Sequence, residues 1–135
     1  MYKNILLPVL FDEEHDTEAS FRAAKTLADD DAKVTVMHVL EAIPVYATSH
    51  VLAEALITAR EEVEGRLEET ANKLPGSQRV LTSGNAAHEI LEYAKTHDVD
   101  CIILASHRPG FGDYFIGSTA ARVVRHSPSA VHVIR

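Results

Sequence analysis

Residues 101–126 read CIILASHRPGFGDYFIGSTAARVVRH, and this stretch decides the fold. The apolar run Cys101 to Ala105 has the composition of a strand buried on both faces. Glycines at 110, 112 and 117 interrupt the pattern, and Ser118 opens a new 3.6-residue periodicity. Strand, glycine-containing loop and helix N-terminus in succession present backbone N–H groups, and the positive end of a helix dipole, to an anion.

Working outward, Lys3 to Leu10 (KNILLPVL) is a second continuous apolar run, and Pro8, which cannot donate to a ladder, predicts that pairing ends there. A helix is expected from about Asp16, with Ala19, Ala23, Ala24, Leu27 and Ala28 on one face; Asp29, Asp30 and Asp31 read as a solvated turn behind it. Lys33 to Leu40 is rich in β-branched residues and reads as a strand. A long helix follows from about His50 to Leu74, with Val51, Ala55, Ala59, Val63, Leu67 and Ala71 inward, stopped by Pro75-Gly76-Ser77. Gln78 to Thr82 is a short strand, Gly84-Asn85 a turn and Ala86 to Thr96 a helix. The remaining elements are a strand at Asp100 to Ala105, a helix at Ser118 to His126 and a last strand at Ala130 to Ile134. Strict alternation of this kind implies right-handed crossovers. The fold class is α/β: an open five-stranded, doubly wound parallel sheet with helices on both faces, Rossmann-like, as one domain over residues 1–135. Such sheets bind ligands beyond the carboxyl ends of their strands, where the winding reverses.

A hydrophobic content of 46% against 24% charged residues is ordinary globular composition, and no apolar run approaches the length of a bilayer span. No membrane insertion and a cytoplasmic location are expected. The formal net charge of −7 argues against a nucleic-acid binder, which needs clustered cations. The single cysteine, Cys101, excludes an internal disulfide and reads as a core residue.

Gly117, Ser118 and Thr119 are candidate phosphate ligands: glycine allows close approach and the hydroxyls add donors at a helix start. A plain serine N-cap is the alternative. His107 and Arg108 could supply imidazole and guanidinium contacts; equally, Arg108 could be solvated and His107 could merely fix the loop. The eight histidines lack ligand spacing for zinc, and His38 and His132 read as strand residues satisfied by neighbours. Asp12-Glu13-Glu14 reads as a solvated approach to a helix in preference to a magnesium site. Walker A, GxSxG and an opening GxGxxG are all absent.

The runs KNILLPV, VTVMHVL and IILASHRPGFGDYFIGSTAARVVRHSPSAVHVIR resemble universal stress protein domains over essentially the whole chain, and the ASHRP…GS version is similar to the nucleotide-binding F-type branch. The resemblance implies an adenine nucleotide alpha hydrolase-like fold and ATP, alone or with Mg2+, as ligand. It places Pro8, Val9 and Leu10 at the adenosine pocket, Val39 at adenine, and Ala105, Ser106, His107, Arg108, Gly117, Ser118 and Thr119 around the phosphates. It also implies a homodimer paired through Ala130 to Ile134 and a regulatory partner protein. ATP-binding relatives carry G-x2-G-x9-G-[ST]; here Ala105 and Arg108 take the first two glycine positions, and eight residues separate Arg108 from Gly117. Leu10 stands where such relatives usually have an acidic residue, and one lost hydrogen bond costs about 1–3 kcal/mol. The function expected is a nucleotide-responsive stress module, because no general base is evident. A nucleotide-free interaction protein, or a slow ATPase or phosphotransfer protein using Ser118 or His107, are the alternatives.

Overall fold

The computed structural model describes residues 1–9, 17–41, 50–105 and 117–135, without the side chains of residues 50–52. Among these, the elements run β1 (Tyr2–Pro8), α1 (Thr17–Leu27), β2 (Ala28–Leu40), α2 (His50–Asn72), β3 (Gln78–Ser83), α3 (Ala86–Thr96), β4 (Cys101–Ala105), α4 (Ser118–His126) and β5 (Ala130–Ile134). All pairings are parallel, in the order β3-β2-β1-β4-β5. The chain therefore winds outward from β1 to β3, then crosses back to β4 and β5, reversing direction between β1 and β4.

Successive strand residues face opposite sides, and the two cores follow that alternation. Ile5, Leu7, Val36 and Ile103 pack under Phe21 and Ala24 of α1 and Leu67 and Ala71 of α2. Leu6, Met37, Ile102 and Leu104 pack under Ile90 and Ala94 of α3 and Ala120 and Val123 of α4. Cys101, at 1% exposure, is a core residue of the first side.

Local signals set several boundaries. Asn85 caps α3 by accepting the His88 N–H at 3.0 Å. Gly84 before it has φ +137, a conformation that demands glycine; a Cβ there would also meet Glu89 Oε1 at 2.9 Å, a contact that the flexible Glu89 side chain would have to give way to. β1 pairs as far as Pro8 opposite Met37, as the proline predicts.

Two expectations are corrected. Ala28 does not continue α1 but opens β2, and Asp29, Asp30 and Asp31 lie within that strand. Between the pairs Tyr2–Ala28 and Asn4–Lys33, β1 advances two residues while β2 advances five. The strand bulges to put the carboxylates outward, and Asp29 pairs with the N-terminal ammonium of Met1. Along α2, Leu67 and Ala71 are buried, but Ala55 and Ala59 are exposed and Val63 is half-buried, so only the end of the helix meets the sheet.

β4 is fastened to β1 at its start. The Asp100 carboxylate accepts from Lys3 N at 2.9 Å and Asn4 N at 3.0 Å, and Asp100 N donates to Asn4 O at 2.9 Å. Asn4 Nδ2 donates to His97 O at 2.7 Å, gripping the turn in which Asp98 takes φ +54. Replacing Asp100 with Ala strips acceptors from two amides, and the expected loss is about 2 kcal/mol, read from the urea midpoint, with Asp100→Asn losing less.

Burial first, and then the neighbouring Asp100 charge, push the Cys101 thiol up to about 11 from 9.0. At pH 8 the folded chain should leave Cys101 unmodified by a thiol-reactive dye, and urea unfolding should restore full labelling. Rapid labelling of the native protein would contradict this.

Candidate functional site

A cleft of about 650 Å3, counting its solvent-open mouth, lies beyond the carboxyl ends of β1, β2 and β4. The reversal between β1 and β4 creates it: the helices over the two strands leave on opposite faces, so no described element covers the gap between their ends.

The floor is apolar. Met37 from β2, Leu104 from β4, Ile90 from α3 and Ala120 from α4 line it and are all buried. Pro8, Val9, Val39 and Ala105 form the strand-end walls, with Ala86 at the start of α3. Thr17 and Ser20 of α1 and Thr119 of α4 bring hydroxyls. Among the described lining residues there is no carboxylate and no imidazole.

The wall on β2 carries backbone polarity as well. In a parallel ladder the N–H and C=O of one residue point to the same side, and successive residues point to opposite sides. Met37 O accepts from Val9 N at 2.8 Å, so Met37 faces β1; Leu40 O accepts from Gly84 N at 2.8 Å, so Leu40 faces β3. Val39 shares the direction of Met37, but the β1–β2 pairing has ended at Pro8 and Met37. Its N–H and C=O thus form a donor–acceptor edge beside the cleft without a ladder partner among the described residues of β1.

At the opposite wall, α4 starts with Gly117 as N-cap, at φ −57 and ψ 154, and no described side chain caps its first amides. Ser118 is exposed and Thr119 half-buried. The N-terminal end of the dipole thus opens at the cleft, and the basic residues Arg125 and His126 sit in the last turn, where the dipole favours positive charge.

Of the candidates named from sequence, Pro8, Val9, Val39, Ala105 and Thr119 line one cleft, and Gly117 and Ser118 adjoin it through the start of α4. Leu10, Ser106, His107 and Arg108 lie outside the described residues, as do Asp12, Glu13 and Glu14. Sequence reasoning misses Thr17, Ser20, Met37, Ala86, Ile90, Leu104 and Ala120 as lining. Their apolar or small side chains carry no motif, and only the sheet order separates a cleft floor from a core. His38 is satisfied as its strand position suggests: Nδ1 lies 2.8 Å from Val9 O.

Comparison with known proteins agrees with this fold. A family model described as the universal stress protein family matches residues 1–135. The chain is 27% identical over 143 aligned positions to universal stress protein G of Escherichia coli, covering all of both chains. Among solved structures it is similar to universal stress protein UspA from Lactobacillus plantarum (30% identity, TM-score 0.73, 99% of this chain and 98% of that one). It also shares the fold of the universal stress protein from Archaeoglobus fulgidus in complex with dAMP (19% identity, TM-score 0.67, 99% of this chain and 98% of that one).

Proposed function

Because this chain belongs to the universal stress protein family, we propose that it is a nucleotide-responsive stress module whose cleft takes an adenine nucleotide, ATP in the first instance, with or without Mg2+. The observation that carries the reading is the pairing, in one cleft, of the Val39 donor–acceptor edge with the start of α4. An N–H beside a C=O is complementary to the ring nitrogen and amino group of adenine, whereas guanine presents the reverse polarity. The first-turn amides of α4, with Ser118 and Thr119, suit phosphate oxygens. The relative solved with dAMP supports the same ligand class.

Response to nucleotide, in preference to turnover, fits a described lining of hydroxyl and apolar groups without a base to activate water. In this reading residues 1–135 act as one cytoplasmic domain, and the loaded state is passed to a regulatory protein partner. Leu10 favours a second reading, a nucleotide-free interaction module, since its side chain cannot accept a hydrogen bond from ribose or base.

Isothermal titration with ATP and Mg2+ decides between the two. Heat of binding and a thermal upshift at millimolar nucleotide are expected, and Ala105→Phe, which fills the cleft wall, should weaken binding by about tenfold or more. No heat and no thermal shift in the unsubstituted protein would sink the first reading.

β5 stands at a sheet edge with Ala130 and His132 exposed, which supports pairing with a second β5 across a two-fold axis. Sedimentation at micromolar concentration should give a dimer, and Val133→Pro, which removes an edge donor, should give a monomer.

A further inference from the structure

We propose that His38 is a positioning residue of the cleft: its imidazole holds the Val9 carbonyl out of the ladder and so keeps the Val39 N–H available to a bound base. The inference rests on the adenine-nucleotide reading of the cleft.

The β1–β2 ladder has one more rung within reach than it forms. Val9 N donates to Met37 O at 2.8 Å, and in a continuing parallel ladder the Val9 carbonyl would next accept from Val39 N. It does not; among the described residues the register stops at Pro8 and Met37. The Val9 oxygen lies instead 2.8 Å from His38 Nδ1. A carbonyl can only accept, so Nδ1 carries the proton in this contact.

Strand alternation explains why the competitor sits where it does. Val36 packs in the core beneath α1 and α2, so His38, two residues on, projects to that same side, while Met37 and Val39 project to the α3–α4 side. His38 does not line the cleft, although both residues it connects, Val9 and Val39, do. The ring thus draws the Val9 oxygen toward the α1–α2 side. A buried carbonyl must find a partner, and giving it one other than Val39 N–H leaves that donor facing the cleft. A leucine at this position would leave Val9 O one good choice, the Val39 amide. The ladder would close by a rung, and the donor that reads the base would be spent.

The test follows the Val39 amide by NMR hydrogen exchange alongside ATP affinity, in the full chain and two variants. In the unsubstituted protein Val39 N–H should exchange freely and become protected at saturating ATP. In His38→Leu it should be protected without nucleotide, its exchange slowed roughly tenfold, with the ATP Kd raised roughly tenfold. In His38→Asn, whose Nδ2–H can occupy the place of the imidazole Nδ1–H, both values should return to within about twofold of the original. Circular dichroism and the urea midpoint establish that each variant folds, and His38→Asn supplies the comparison if His38→Leu does not. Val39 exchange identical in the original protein and His38→Leu, or Val39 protected without nucleotide in His38→Asn although its Nδ2–H is retained, overturns the role of His38 whatever the affinities. The expected exchange pattern in a protein that binds no ATP overturns the nucleotide reading instead, and with it the purpose of the open amide.

Discussion

The geometry of the cleft depends on how the start of β4 is bound to the start of β1. Asp100 acts there as an extension of the strand, its amide donating to Asn4 O and its carboxylate accepting from two successive amides of β1. The register that follows pairs Ile5 with Cys101 and Leu6 with Ile102. Carried forward at the same offset, it brings Val9 level with Ala105. Val9 directly follows β1 and Ala105 ends β4, and both border the cleft, so a one-residue slip at the clasp would stagger its walls and turn every side chain of β4 to the other face.

Charge is distributed unevenly over this frame. α2 carries six glutamates, Glu54, Glu61, Glu62, Glu64, Glu68 and Glu69, and packs toward β3 at one edge of the sheet. Residues 114–135, which include α4 and β5 at the other edge, contain no acidic residue and have Arg122, Arg125 and Arg135. Four strand spacings separate the edges by about 19 Å, beyond the screening length of roughly 8–10 Å at physiological salt. The net charge of −7 therefore says little about the field at the start of α4, where an anionic group would sit.

Much of the fold is legible in the sequence because its punctuation is local. Asn85, Gly117 and Ser127-Pro128 bound α3 and α4 at the residues read from sequence, and β5 likewise. Sequence reading fails where a boundary depends on a distant partner. Asp29 to Asp31 have turn composition, but pairing with β1 draws them into a strand that accommodates them by bulging. The inward stripe of α2 fails for a reason of length. A helix of 23 residues spans about 35 Å, whereas the six-residue β3 beside it offers roughly 20 Å of support. At the site, the strand ends and the start of α4 can be named because proline, glycine and serine mark them. Met37, Ile90 and Leu104 cannot, since an apolar residue under a ligand and one under a helix have the same sequence signature.

The clasp also has a consequence for the order in which the molecule can assemble. Lys3 and Asp100 stand 97 positions apart, and the strand that β4 must find is synthesised well before it. During translation β1 can pair with β2 on one side only, leaving a row of apolar residues with unmet amides toward the side where β4 will arrive. Closing so long a loop delays the contacts that reward it, as in other parallel sheets rich in distant pairings. Until residue 100 has emerged, the growing chain carries an unpaired central edge of the kind that invites association with other nascent chains.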